Sequence, residues 1–374
     1  MKIIYVIPQF VGIGGKERVL ANKVNYISEH WNAEIIIITS EQKPDAPNSF
    51  DLSEKIRLIH LDIEYDKYKK KNPLLNRLAQ KRCVSMHRNA LEKIFLQEKP
   101  DVVVSMFARE MTWLYKIKDG SKKILEFHFN KDSLKITAKS NLILWLKYWE
   151  KKRAVKHYDK FVVLTEEDKK DWGDRKNLWV IPNALTFYPS EQSNMKLKRV
   201  LSVGRLISQK GFDRLLDIWR KVEPFFPEWT LSIVGSGIEQ KHLEQQIIET
   251  KLQHIELLPA TSNILQEYLQ SSIYVLTSRY EGFPMVLHEA MSCGVPVVSY
   301  ACKCGPRDII RNEEDGFLIE DGNREEFVCR LSQLMENEKL RQDMGKMARQ
   351  NIVRFSEEQV MKQLKLLFDS LFTL

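Results

Sequence analysis

Apolar and polar positions divide the chain into two successive series of short apolar runs. Each run leads into a polar or glycine-containing loop and then a stretch with helical spacing. In the first series the runs lie at 2–7, 33–39, 56–61, 101–107, 122–127 and 161–164, and 179–183 closes it. In the second they lie at 199–203, 229–234, 255–258, 273–276 and 295–299, and 309–319 carries a turn at Asp315-Gly316. Most runs are continuously apolar, as expected for strands covered on both faces of a parallel sheet, although 56–61 alternates. Strands taking turns with helices predict an α/β protein of two doubly wound, Rossmann-like domains facing each other across a cleft. The polar, aperiodic stretch 189–198 predicts the linker. The expected domains are therefore 1–188 and 189–355, followed by a terminal helix over 356–374.

The densest chemistry lies in 277–299, T-S-R-Y-E-G-F-P-M-V-L-H-E-A-M-S-C-G-V-P-V-V-S. After the strand at 273–276 comes a polar elbow. Gly282 allows a tight backbone there, and Pro284 suits the first position of a helix that Gly294 stops. The helix end at Gly282, Phe283, Pro284, Met285 and Val286 offers free N–H groups and the positive end of a dipole, a site for phosphate. Glu281 before the helix and Glu289 on its second turn predict acceptors for sugar and ribose hydroxyls. An ordinary βαβ unit with two solvated glutamates is the alternative.

Other strand ends carry related signals. Gly204-Arg205 and Lys210-Gly211 put two cations on one loop, suited to a diphosphate between a guanidinium fork and an ammonium. Gly235-Ser236-Gly237 offers small residues for a ligand's approach. In the first half, Gly12 to Gly15 follow the first strand, but Glu17 occupies the position where a dinucleotide fingerprint needs its third glycine. His128 stands just past the strand at 122–127, where open α/β sheets hold ligands; a satisfied structural histidine is the alternative.

Several of these motifs resemble one family. Glu281 and Glu289 with seven residues between them, then Ala290-Met291 and Gly294-Val295-Pro296-Val297-Val298, are similar to the signature of retaining glycosyltransferases of GT-B architecture, and more narrowly the glycosyl transferases group 1 family. Gly204-Arg205 with Lys210-Gly211 resembles the family's phosphate clamp. Gly14, Gly15, Glu17 and Arg18 resemble its first loop, and Val180 to Asn183 its run into the linker. The resemblance covers nearly the whole chain and is tighter in the second half. It implies a nucleoside diphosphate sugar, with UDP the commonest base, held in the second domain. The donor would lie against Gly14, Gly15, Gly204, Gly235, Pro259, the 282–286 segment and Glu289. Arg205 and Lys210 would stabilise the leaving group, with Glu281 and His128 at the sugar. It implies an acceptor, a saccharide or lipid-linked saccharide, in the first domain near Glu17, Arg18 and Asn183. It further implies retention of configuration, a role in bacterial surface polysaccharide synthesis, and a last helix crossing back onto the first domain.

Composition narrows the setting. The net charge of +8 favours anionic partners, which are nucleotides, nucleic acid or an anionic membrane surface; the resemblance implies a nucleotide and no nucleic acid. No Asp-x-Asp lies near a predicted strand end, so no metal is expected, and no cofactor beyond the nucleotide sugar. Five cysteines without zinc spacing predict reduced thiols and a cytoplasmic protein. No signal peptide or spanning segment is predicted. The stretch 142–156, with Leu142, Ile143, Trp145, Leu146 and Trp149 beside Lys147, Lys151, Lys152, Arg153 and Lys156, reads either as a core helix with a solvated basic side or as a peripheral contact with an anionic membrane. An epimerase or a phosphorylase on the same architecture, and a non-catalytic sugar or nucleic-acid binder, stay open. A dehydrogenase is disfavoured by Glu17.

Overall fold

The computed structural model describes the chain except residues 12–14, 47–49, 68–71, 133, 135–141, 174 and 374. Gly14 of the first loop thus lies outside the described residues. The chain forms two compact units. The first comprises Met1–Leu164, Asp168–Ile181 and Met361–Leu374; the second comprises Thr165–Glu167 and Pro182–Val360.

The first unit is built on a seven-stranded sheet, ordered β3-β2-β1-β4-β5-β6-β7. Its strands are β1 (Lys2–Ile7), β2 (Glu34–Thr39), β3 (Ile56–His60), β4 (Val102–Ser105), β5 (Lys122–Glu126), β6 (Lys160–Val163) and β7 (Leu178–Val180). The second holds a six-stranded sheet, ordered β10-β9-β8-β11-β12-β13. These are β8 (Arg199–Val203), β9 (Thr230–Val234), β10 (Ile255–Leu258), β11 (Ile273–Leu276), β12 (Val297–Tyr300) and β13 (Gly316–Ile319). All described pairings are parallel. The reason is visible in the residues: Ile35 to Ile38 are all fully buried, so both faces of β2 are covered. The edge strands β3, β7 and β10 are partly open along most of their length, whereas the interior strands open only at their ends.

Each sheet reverses direction once. In the second unit the chain builds β8, β9 and β10 to one side, then returns to lay β11 on the other side of β8. Open α/β sheets hold ligands at such switch points, outside the carboxyl ends of the strands. In the first unit the switch falls between β1 and β4.

Packing against the sheets follows from helical spacing. The helix Phe212–Val222 buries Phe212, Leu215, Leu216, Ile218, Trp219 and Val222 on one face. The stretch 189–198 is not a free linker. Ser193 donates from its N–H to the Cys293 carbonyl and from its hydroxyl to the Ser271 carbonyl, and Met195 is buried, so polar side chains tie it into the second unit. From the last helix, Glu357–Asp369, Phe368 meets Trp31 edge-on at 5.7 Å, within the first unit. The five cysteines are free thiols, four of them buried. No helix among the described residues is long and apolar enough to cross a membrane.

Gly235 serves the fold. A methyl group there would overlap the Gly204 carbonyl oxygen, so the glycine that reads as room for a ligand is room for the neighbouring loop. Gly235→Ala is expected to lower stability by about 1–3 kcal/mol, whereas Gly15→Ala, with open space around its position, leaves the melting temperature unchanged. Scanning calorimetry of both variants checks this.

His288 is fully buried between Phe283 and Phe355, with ring centroids 4.8 and 4.6 Å away, and neither ring nitrogen has a partner among the described residues. Burial, aided by Arg354, pushes its pKa down to about 3. The unfolded chain takes a proton at the ordinary histidine value that the folded chain refuses, so stability falls as pH drops from about 6.5 towards 3. His288→Leu should therefore raise the melting temperature more at pH 5 than at pH 8, read by thermal melts at both.

Candidate functional site

The switch point of the second unit brings together the loop after β8 (204–211) and the loop after β11 (277–284). Their backbones interlock. Gly211 has φ +67°, and a methyl group on it would overlap the Thr277 carbonyl oxygen. The Thr277 hydroxyl donates to the Gly211 carbonyl at 2.9 Å, and the Arg279 N–H to the Gln209 carbonyl at 2.8 Å. Gln209 Nε2 returns a bond to the Tyr280 carbonyl at 2.9 Å. Arg279 also grips Asp213 with both guanidinium ends, at 2.9 and 2.6 Å. Burial of Asp213 is outweighed by Arg279, which holds the carboxyl below its usual range.

On this frame the predicted residues separate into two kinds. Arg205 is exposed, and its guanidinium has no partner among the described residues. Lys210 is half-buried and gives one N–H to Glu281 Oε1 at 2.7 Å. The Ser278 hydroxyl donates to the same oxygen at 2.6 Å. Gly204 lies beside this pair: a methyl group there would make ordinary contact with the Lys210 stem at 3.4 Å. The cation expected for phosphate and the carboxylate expected for the sugar are thus ion-paired. Two of the three ammonium hydrogens remain for a further partner.

Glu289 sits on the helix Met285–Ser292, only 7% exposed, and accepts from the Tyr268 hydroxyl at 2.7 Å. Burial and the adjacent carboxylate push Tyr268 well above its ordinary pKa, so it acts as a donor throughout. The helix begins one residue later than its sequence predicts. Pro284 caps it in extended conformation (φ −75°, ψ 90°) and Met285 opens it. Leu287 N–H bonds to the Pro284 carbonyl, whereas the N–H groups of Gly282, Phe283, Met285 and Val286 have no partner among the described residues. The tight backbone expected at Gly282 falls elsewhere. Gly282 is not among the positive-φ residues, whereas Gly305 has φ +101° and lies so close to the Pro284 ring that a methyl group there would overlap it. Gly294, at φ +75°, does end the helix. Pro259 is exposed past β10, next to Ala260, whose N–H reaches the Ser236 hydroxyl at 3.4 Å.

In the first unit, Gly15 opens the helix Gly15–His30 and Glu17 lies in its first turn. The Arg18 guanidinium rests 5.6 Å over the Phe50 ring. Asn183, expected on the acceptor side, is buried and belongs to the second unit. His128 follows β5 with its side chain almost fully covered, Nε2 being 3.1 Å from Glu126 Oε2. A cavity of about 420 Å³ opens past β1 and β2, lined by Gln9, Glu41, Gln42, Lys43 and Asp45 among others. Sequence reading misses Glu41 and Arg109, which pair at 2.7 Å beside it, as it misses Asp213, Arg279 and Tyr268. Nothing in their local spacing marks them, except that Arg279 lies inside the conspicuous 277–299 stretch.

Comparison with known proteins then adds the following. Residues 186–351 match the model of the glycosyl transferases group 1 family. An uncharacterised glycosyltransferase of Haemophilus influenzae is 36% identical over 217 residues, 57% of this chain and 62% of that protein. The amylovoran biosynthesis glycosyltransferase AmsD of Erwinia amylovora is 37% identical over 216 residues, 55% of this chain and 60% of its own length. The chain thus spans about three fifths of the curated relatives it matches. Across the whole chain, the pneumococcal O-GlcNAc transferase GtfA, solved with UDP and GlcNAc, superimposes with a TM-score of 0.77 at 14% identity, covering 100% of this chain and 99% of that one. The two Rossmann-like units share the fold of GT-B glycosyltransferases. Through residues 186–351, under half of its length, this chain resembles the glycosyl transferases group 1 family.

Proposed function

We propose that the protein is a glycosyltransferase that moves a hexosyl unit from a nucleoside diphosphate sugar, most simply a UDP-sugar, to a saccharide or lipid-linked saccharide, with retention of configuration. The observation that carries this reading is the switch-point cluster: Arg205 open, Lys210 paired with Glu281, Glu289 held by Tyr268, and a helix end with four N–H groups that have no partner among the described residues. The relatives' names support the setting, bacterial surface polysaccharide synthesis.

In this reading the diphosphate lies on the helix end, and Arg205 and Lys210 stabilise the charge that develops as it leaves. Glu289, with one oxygen committed to Tyr268, accepts from the ribose hydroxyls. Glu281, fixed by Lys210 and Ser278, accepts from the donor sugar, and His128 is the sugar-side candidate of the first unit. The acceptor hydroxyl attacks the face that the diphosphate leaves, and a diphosphate oxygen takes its proton. Neither glutamate forms a covalent bond. The acceptor is assigned to the first unit, where the cavity past β1 and β2 offers Gln9, Glu41, Lys43 and Asp45 to a saccharide's hydroxyls. No metal and no further cofactor enters, because protein cations take that role.

A membrane contact is part of the proposal. On the helix Leu142–Ala154, Trp145, Leu146 and Trp149 are 47%, 55% and 40% exposed, with Lys147 and Arg153 exposed among them. Lys151 departs from the expected basic face: its ammonium lies 5.8 Å over the Phe107 ring, and burial lowers its pKa. An anionic leaflet at the inner face of the cytoplasmic membrane suits the remainder.

Three measurements test these statements. In a thermal-shift panel, one UDP- or GDP-sugar should raise the wild-type melting temperature, with no response from Lys210→Ala or Glu289→Ala. If neither nucleotide nor nucleotide sugar shifts it, the site is misassigned and a sugar- or nucleic-acid-binding protein is the better reading. Conversion of the donor without an acceptor would instead mark an epimerase. With the donor in hand, Lys210→Ala should lower kcat by roughly 10²–10³-fold, and excess EDTA should leave turnover unchanged. Sedimentation with anionic liposomes at low salt should capture the wild type but much less of a Trp145→Ala/Trp149→Ala variant; equal recovery of both would remove the membrane contact.

A further inference from the structure

The helix Leu142–Ala154 carries two faces of different chemistry. On one, Trp145, Leu146 and Trp149 are exposed, and the two indoles meet edge-on at 5.7 Å. On another, Lys147 and Lys151 stand one turn apart. Lys147 is exposed and Lys151 half-buried, and neither ammonium has a carboxylate within ion-pairing distance among the described residues. The Lys151 ammonium lies instead over the Phe107 ring, 5.8 Å from its centroid.

Phe107 follows β4, and its φ of +54° is left-handed, a strained conformation for an aromatic residue. The chain then makes a single helical turn, Arg109–Thr112, on which the helix Leu142–Ala154 packs. This brings Arg109 near Lys151. Burial, Lys147 and Arg109 all lower the lysine's pKa, and Glu150 offsets only part of this. Three cations from two elements thus repel one another past the carboxyl end of β4, beside the boundary with β1 where the first sheet reverses. Open α/β sheets hold ligands at such an edge. Like charges gathered in a half-buried place are held at a cost that a bound anion removes. Arg109 gives Nε to Glu41 at 2.7 Å, and neither of its terminal amino groups has a partner among the described residues. Glu41 in turn lines the cavity of about 420 Å³. Apolar surface, cations and cavity therefore follow one another in that order within the first unit.

We propose that Lys147, Lys151 and Arg109 hold the phosphate of a saccharide joined to a lipid through a phosphate or diphosphate, with the lipid leaving past Trp145 and Trp149 and the sugar entering the cavity beside Glu41. The sugar's part as acceptor rests on the glycosyltransferase reading above, and the site narrows that acceptor from any saccharide to a phosphate-linked one. The Arg109 fork suits two phosphate oxygens, and Lys151, already partly stripped of water, attracts an anion more strongly than a solvated lysine does. The event is binding alone; no bond forms or breaks.

The test uses the full chain and three probes that contain no nucleotide: farnesyl diphosphate below its micelle concentration, inorganic diphosphate, and phosphatidylglycerol vesicles. Lysines are acetylated with a water-soluble reagent and read by mass spectrometry. Farnesyl diphosphate should slow acetylation of Lys147 and Lys151 but not of Lys55 and Lys118, which are exposed before the amino ends of β3 and β5. In calorimetric titration, Lys147→Gln/Lys151→Gln should raise the Kd for farnesyl diphosphate about tenfold. The charge-matched Lys55→Gln/Lys118→Gln should bind as the wild type does, and thermal melts should show both variants folded. Unslowed acetylation of Lys151, or wild-type affinity in the Lys147→Gln/Lys151→Gln variant, overturns the proposal. Inorganic diphosphate binding as tightly as farnesyl diphosphate overturns the lipid's part. Phosphatidylglycerol vesicles shielding Lys151 as fully overturn it in favour of a membrane headgroup. If farnesyl diphosphate fails while a UDP-sugar still raises the melting temperature, this site falls and the glycosyltransferase reading stands. If farnesyl diphosphate binds while no nucleotide sugar does, that reading falls and the site stands as one for a phosphate-bearing lipid.

Discussion

The adjacency of β8 and β11 is the constraint on which the candidate site depends. A chain that lays three parallel strands outward and then returns to the far side of the first must leave a crevice at that point, bordered by two loops from distant parts of the sequence. Those loops must hold their shape without a regular ladder between them. They do so through Gly211 against Thr277, Gly235 against Gly204, and the Arg279–Asp213 fork. The rigidity of this frame sets Lys210 against Glu281 before any ligand arrives.

That ion pair resolves a conflict in the site's charges. A diphosphate site repels carboxylates, yet sugar hydroxyls are best met by them. Pairing Glu281 with Lys210 lets a carboxylate stand beside the proposed phosphate position with its charge compensated. A half-buried pair of this kind contributes little net stability, because desolvation opposes the attraction. Its value lies in geometry: two long side chains are held in one arrangement. Tyr268 does the same for Glu289 without a charge, and Lys23 does it for Glu126 in the first unit.

Glycines in this protein show how one residue type carries different meanings. Gly294 and Gly211 stand at left-handed φ values where a side chain is strained. Gly235 has no such φ and is required by the neighbouring backbone. Gly282, the glycine closest to the proposed phosphates, has neither a positive φ nor a turn that demands it, and the strained position lies across the loop at Gly305. The motif's position was legible in sequence, but which glycine carries which burden was not, because the burden is set by the element packed opposite.

Continuous apolar runs such as Ile35–Ile38 were enough to announce parallel sheets, since only strands covered on both faces can be apolar throughout. The repeat of strand and helix was enough to announce two doubly wound units. Arg205, Lys210 and Glu281 were legible as candidates because each stands in a loop that follows a strand, and Glu289 because it lies on the helix after one, a property of local order along the chain. Their partners were not. Ser278 bonds Glu281 from three residues away, but Lys210 reaches it across 71 positions and Tyr268 reaches Glu289 across 21. Lys23 and Glu126 meet across 103. Strand order decides which loops share an end of the sheet, and burial then decides which charges must be paired. Local residue pattern determined the elements and the residues able to do chemistry; the tertiary structure alone decided which of them are paired, buried or free, because hydrogen bonds and desolvation act through space rather than along the chain.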